Sequence, residues 1–154
     1  MPLSIGTPAP DFAFTTADGQ TTRLSALHGQ RNAIVYFYPA AFTNVCTRET
    51  CGFRDAVGEL AGAATEVIGV SSDAPEKLRE FAAAYQVPFA LVSDPDLAIA
   101  KAYKATSLLL RAVGKSSRVT YVIDMQGIVR GAFEGMLSAA THVDGAKALI
   151  AKGL

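Results

Sequence analysis

The sequence predicts an α/β sandwich, a mixed β-sheet flanked by helices with a hairpin ahead of it. Three observations carry this. Residues 33–38 (AIVYFY) and 67–71 (VIGVS) are continuous apolar runs, rich in β-branched and aromatic side chains, of the kind buried on both faces of a sheet. Segments with helical apolar spacing alternate with these runs. A late pair of strand-like runs closes around Met125-Gln126-Gly127, as in an antiparallel hairpin.

Each element follows from local pattern. Residues 12–16, the turn Asp18-Gly19 and residues 21–25 read as the first hairpin. Pro39 stops the strand at 33–38. Residues 43–62 then change to helical spacing, with Phe53, Val57, Leu60 and Ala61 on one stripe. After the strand at 67–71, Pro75 fits the first position of a helix that carries Leu78, Phe81, Ala82 and Tyr85. A short strand at 89–93 and a short helix at 96–103 follow. Strands at 119–124 and 128–133 form the late hairpin, and residues 139–152 make the last helix, although Gly145 should weaken it. This is the element order of a thioredoxin-like fold with an added N-terminal hairpin.

Composition narrows the class. The 154 residues fit one domain, residues 1–154, and 50% hydrophobic with 18% charged residues excludes a disordered chain. Fourteen basic residues balance fourteen acidic ones, so no nucleic-acid footprint is expected. No run reaches the roughly 18 apolar residues of a membrane span. The start, MPLSIGTPAPDF, has neither a basic nor an apolar leader region, so a cytoplasmic protein is expected. In a reducing compartment, two cysteines point to catalytic or redox chemistry rather than to a structural bridge.

Cys46 falls just inside the predicted helix. With Thr43 as N-cap it takes the third helical position, among free backbone N–H groups and at the positive helix end, both of which favour a thiolate. The bland alternative is a small buried hydrophobe. Cys51 lies five residues on, about 140° around and roughly 7.5 Å along a helix, with Cα atoms about 8 to 9 Å apart. A disulfide needs Cα atoms within about 7 Å, so the pair cannot bond while the segment is helical. Gly52, Gly58 and Gly62 each cost a helix interior about 1 kcal/mol and read as loosening residues. His28 and His142 do not stand at ligand spacing from the cysteines, and Cys-x4-Cys alone is a poor zinc signature, so no metal is expected. With no G-x-S-x-G, P-loop or G-x-G-x-x-G, no nucleotide or other cofactor is expected either.

The stretch from Tyr38 to Cys46 resembles the peroxiredoxin active-site signature Pro-x3-Thr/Ser-x2-Cys, matched by Pro39, Thr43 and Cys46. The continuation to Asp55, with Cys51 five residues after Cys46, resembles the bacterioferritin comigratory protein, or PrxQ, subgroup. Gly6 to Phe12, Val70 to Asp73, Phe89 to Asp94 and Arg118 to Asp124 resemble further family segments, so the likeness spans nearly the whole chain. Ala40-Ala41 and Asn44-Val45 depart from that subgroup's Lys-Asp and Pro-Gly, and the Ala-Phe-Thr run is similar to the AhpE type.

The resemblance implies a thiol peroxidase acting on hydrogen peroxide and organic hydroperoxides. It makes Cys46 the peroxidatic cysteine and Cys51 the resolving one. It assigns peroxide binding to Thr43 and Arg118, shielding to Pro39 and support of the arginine to Glu49. It further implies recycling by thioredoxin or a glutaredoxin-like reductant, and a monomer or homodimer. A thiol–disulfide oxidoreductase on the same fold is the main alternative. It wants Cys-x2-Cys and a proline before the late hairpin, whereas the spacing here is x4 and the last proline is Pro95. A peroxide-sensing redox protein would use the same sulfenic acid without turnover.

Overall fold

A computed structural model describes residues 1–154. Its elements run β1 (Ala13–Thr15), β2 (Thr21–Arg23), β3 (Asn32–Phe37), α1 (Asn44–Gly62), β4 (Thr65–Ser71) and α2 (Pro75–Tyr85). They continue through β5 (Ala90–Ser93), α3 (Ala98–Ala102), α4 (Leu108–Ala112), β6 (Val119–Ile123), β7 (Val129–Glu134) and α5 (Ala139–Lys152). The main sheet has the order β5-β4-β3-β6-β7. Strands β3, β4 and β5 are parallel, while β6 pairs antiparallel with both β3 and β7. The mixed sheet and the separate β1–β2 hairpin are those the sequence predicts.

Strand β3 occupies the centre, and its side chains alternate between two cores. Ala33, Val35 and Phe37 join Phe12, Phe14, Val70, Tyr103 and Tyr121 on the face covered by the hairpin and α3. Ile34, Tyr36 and Tyr38 join Phe53, Leu60, Phe81, Val122 and Val143 on the face covered by α1, α2 and α5. Burial on both faces explains why this strand reads as an unbroken apolar run.

Several local expectations are corrected. Along α1 the buried line is Cys46, Glu49, Thr50, Phe53, Ala56 and Leu60; Val57 is half-buried and Ala61 exposed. The helix is rotated toward a polar stripe that apolar spacing alone could not reveal. Ser25 belongs to a 3₁₀ turn, Leu24–Leu27, that ends the hairpin early. The helix expected at 96–103 is shorter, because Leu97 takes a left-handed conformation (φ 61°) before it. The single turn α4 carries no periodic signal, since none of its five residues is buried.

Two glycines are packing residues. A Cβ on Gly52 would lie 2.9 Å from Val143 Cγ2 of α5, and one on Gly145 would lie 2.6 Å from the Phe133 ring of β7. Gly52 is therefore the contact that lets α1 approach α5. Gly145, unfavourable for an isolated helix, lets α5 lie on the sheet. Gly58 and Gly62 face open space.

Candidate active site

The loop from Tyr38 to Thr43 leads from the central strand into α1 and is anchored on several sides. Ser116 Oγ donates to Tyr38 O (2.9 Å), and the buried Asp73 accepts from the Ala41 N–H (2.8 Å) and from Ser71 Oγ (2.9 Å). Phe42 adopts φ 66°, a left-handed conformation that costs a bulky residue about 1–2 kcal/mol. Its ring packs 5.0 Å from Phe81 and 6.2 Å from Tyr85, which offsets the strain. Pro39 is half-buried in this loop.

Thr43 is the N-cap of α1, but its side chain does not cap the helix. Its hydroxyl donates instead to Ala40 O (2.7 Å), so its lone pairs remain open to an incoming donor. The first intrahelical bond runs from Thr47 N–H to Thr43 O (2.8 Å). The N–H groups of Asn44, Val45 and Cys46 precede it and have no partner along the helix. Cys46 is therefore in the helical position the sequence predicts, and it is 1% exposed.

The charge at the site comes from the residue before β6. Arg118, 4% exposed, donates through Nη2 to Cys46 Sγ (3.0 Å), through Nη1 to Glu49 Oε1 (2.6 Å) and through Nε to Met136 O (3.1 Å). Glu49, one turn of helix beyond Cys46, is fully buried. Burial pushes its carboxyl up to about 7, against the opposing pull of Arg118 and of the Thr120 hydroxyl. Arg118, Cys46 and Glu49 thus meet directly. Thr43 and Pro39 lie in the adjoining loop. Cys51 is half-buried on the same helix, and both cysteines are free.

Asp73, Thr120 and His142 make contacts at the site that the sequence reading does not assign to them. Asp73 anchors the loop. Thr120 Oγ1 lies 2.8 Å from His142 Nδ1 and 3.4 Å from Glu49 Oε2, and His142 Nε2 lies 2.8 Å from Gly135 O. The available signals were a lone threonine inside the apolar run of β6 and a lone histidine on the stripe His142, Val143, Ala146, Ile150 of α5.

Known proteins resemble this chain over most of its length. The AhpC/TSA family model matches residues 5–132. Peroxiredoxin Bcp of Escherichia coli K12 is 35% identical over 144 residues, which cover 92% of each chain. The crystal structure of peroxidoxin BcpB from Mycobacterium tuberculosis superposes with a TM-score of 0.87 at 30% identity, covering 99% of both chains. The Xanthomonas campestris bacterioferritin comigratory protein, studied for alkyl peroxide reduction in trapped intermediate and ligand complexes, gives a TM-score of 0.80 at 26% identity, over 92% of this chain and 90% of that one. On this match, spread over nearly the full length, the chain belongs to the AhpC/TSA family, among its Bcp and Q-type peroxiredoxins, and is a thiol-dependent peroxidase.

Proposed function

We propose that residues 1–154 act as one domain that reduces hydrogen peroxide and organic hydroperoxides through Cys46, with Cys51 as the resolving thiol. The observation that carries this reading is the Arg118 guanidinium placed 3.0 Å from Cys46 Sγ at the first turn of α1. Attack of the thiolate on the terminal peroxide oxygen forms an S–O bond and breaks the O–O bond. Sulfur loses two electrons, and the departing alkoxide or hydroxide takes a proton to become an alcohol or water. Arg118 and the free N–H groups of Asn44, Val45 and Cys46 stabilise that developing charge. Thr43, its own hydrogen committed to Ala40 O, accepts a hydrogen bond from the hydroperoxide O–H and orients the substrate, the hydrogen staying on the oxygen transferred to sulfur. Pro39 shields the sulfenic acid, and Glu49 holds Arg118 in place through Nη1.

The Cys51 thiol then attacks the sulfenic acid, forming a disulfide and releasing water. A dithiol reductant of the thioredoxin or glutaredoxin class restores both thiols by disulfide exchange. The cytoplasm, kept reducing, suits this cycle. No helix here is long and apolar enough to cross a membrane. The test is peroxide consumption coupled to thioredoxin, its reductase and NADPH. Wild type should turn over, Cys46→Ser should lose all activity, and Cys51→Ser should complete one oxidation without thioredoxin-linked turnover. Wild-type rates in Cys46→Ser would overturn the reading.

A further inference from the structure

Behind the Arg118–Glu49 pair lies a buried polar triangle to which the peroxidase cycle gives no role. Its corners are Thr120 Oγ1, His142 Nδ1 and Glu49 Oε2, separated by 2.8, 3.4 and 3.5 Å. All three residues are fully buried. Their polar atoms must find partners within the protein.

Counting hydrogens gives the argument. Gly135 O can only accept, so the 2.8 Å contact requires a hydrogen on His142 Nε2. With Glu49 ionised and His142 neutral, the Thr120 hydroxyl holds the only hydrogen among the three corners. It can serve Nδ1 at 2.8 Å or Oε2 at 3.4 Å but not both, so one of the two acceptors is left without a donor. One further proton completes the triangle in either of two ways. Nδ1–H can donate to Thr120 Oγ1, whose hydroxyl donates to Oε2. Alternatively, Oε2–H donates to Thr120 Oγ1, whose hydroxyl donates to Nδ1.

We propose that Glu49, Thr120 and His142 form a buried triad holding one shared proton, which sets how much of the Arg118 charge reaches Cys46. Thr120 and His142 are its positioning residues. This rests on the peroxidatic reading of Cys46. Burial pushes the Glu49 carboxyl up to about 7. Burial pushes His142 down, aided by Arg118 and opposed by its bond to Gly135 O. The titratable and charged groups facing the triad are Cys46 from α1, Tyr36 from β3, Tyr38 from the loop that follows it, and Arg118 ahead of β6. Burial, first among several causes, raises both tyrosines and keeps them neutral. With the proton in place, on either residue, the triad carries no net charge and Arg118 faces the thiolate beside a neutral unit. Without it, Glu49 draws on the same cation.

Two measurements test the triad. In the reduced wild type, the ¹⁵N shift of His142 Nδ1 and the ¹³C shift of the Glu49 carboxyl are followed from pH 5 to 9. A shared proton gives both nuclei one common midpoint near neutrality. Independent midpoints, or no titration of either nucleus, would overturn the proposal. The second readout is the rate of Cys46 sulfenic acid formation against pH. Beyond the thiol ionisation, the wild-type rate should fall at least threefold through neutrality. Thr120→Val and His142→Gln should abolish that fall. Variants slowed equally at every pH, with the profile unchanged, would show a purely structural role and also overturn it. Failure of the peroxidatic reading shows separately, as peroxide turnover by Cys46→Ser, while the shift titration still decides the triad.

Discussion

Arg118 and Cys46 stand 72 positions apart in the chain and meet at 3.0 Å, guanidinium nitrogen to sulfur. The contact exists because β6 pairs with β3, bringing the residue before β6 beside the loop that follows β3. The same guanidinium spends a second nitrogen on Glu49 and a third on Met136 O. Its orientation is fixed before any peroxide arrives, the condition under which charge stabilisation is most effective.

Arg118→Ala should therefore slow sulfenic acid formation more than tenfold, a loss above about 1.4 kcal/mol of transition-state stabilisation. Arg118→Lys should recover only part of it, since an ammonium cannot hold Cys46, Glu49 and Met136 O together in one planar fork. Competition kinetics against a reporter peroxidase measures both. An unchanged rate in Arg118→Ala would make the arginine structural.

Glu49 predicts a pH dependence of stability. Its carboxyl is pushed by burial from 4.5 to about 7, so the folded state binds more protons than the unfolded state between those values. The contribution is fully present below about pH 4.5 and lost as pH rises through about 7, on the order of 3 kcal/mol. His142 acts oppositely. Burial lowers it below 6.5, so its contribution grows as pH rises toward that value. Glu49→Gln isolates the carboxylate. Urea unfolding at stepped pH should show wild-type stability falling relative to Glu49→Gln from pH 4.5 to 7, and a constant difference would refute the assignment.

Gly52→Ala should invert the usual helix rule. Propensity alone would stabilise α1 by about 1 kcal/mol. The new methyl would stand 2.9 Å from Val143 Cγ2, and a β-branched side chain on a helix has little rotamer freedom to give way. The expected net effect is a loss of about 1–3 kcal/mol, read by urea denaturation. Gly58→Ala, facing open space, should stabilise and serves as the control.

The fold and half of the site were legible where they are local. The buried strand, the Pro75 helix start and the placement of Cys46 at the third helical position depend on neighbouring residues alone. The helix expected at 139–152 is Ala139–Lys152, where the Ser138 hydroxyl accepts from the Thr141 N–H and Gly153 follows the last turn. Arg118 and Glu49 became visible only through resemblance, since nothing in either segment says that they pair across 69 residues. Thr120 and His142 were illegible for a related reason. Each is a single polar residue in an apolar pattern, and only the packing of α5 against β6 gives it a partner. The Gly52 contact was likewise misread as looseness, because a glycine's purpose lies on the helix it touches.

The proposed Cys46–Cys51 disulfide requires α1 to open. Cys46 and Cys51 lie in one continuous helix, where a five-residue separation holds the Cα atoms about 8 to 9 Å apart, beyond disulfide reach. Opening must also release buried contacts of that segment, among them Thr50 to Tyr36 (2.9 Å) and Glu49 to Arg118. Local unfolding of this kind costs less than global unfolding and is within reach of a helix end. Hydrogen exchange over residues 43–55 should accordingly show strong protection in the reduced protein and marked loss in the oxidised one. Mass spectrometry after one equivalent of peroxide should find the Cys46–Cys51 bond. Equal protection in both states with that bond present would mean the segment is not a continuous helix in solution. Absence of the bond in the wild type would instead remove Cys51 from the cycle and leave Cys46 to be resolved by an external thiol.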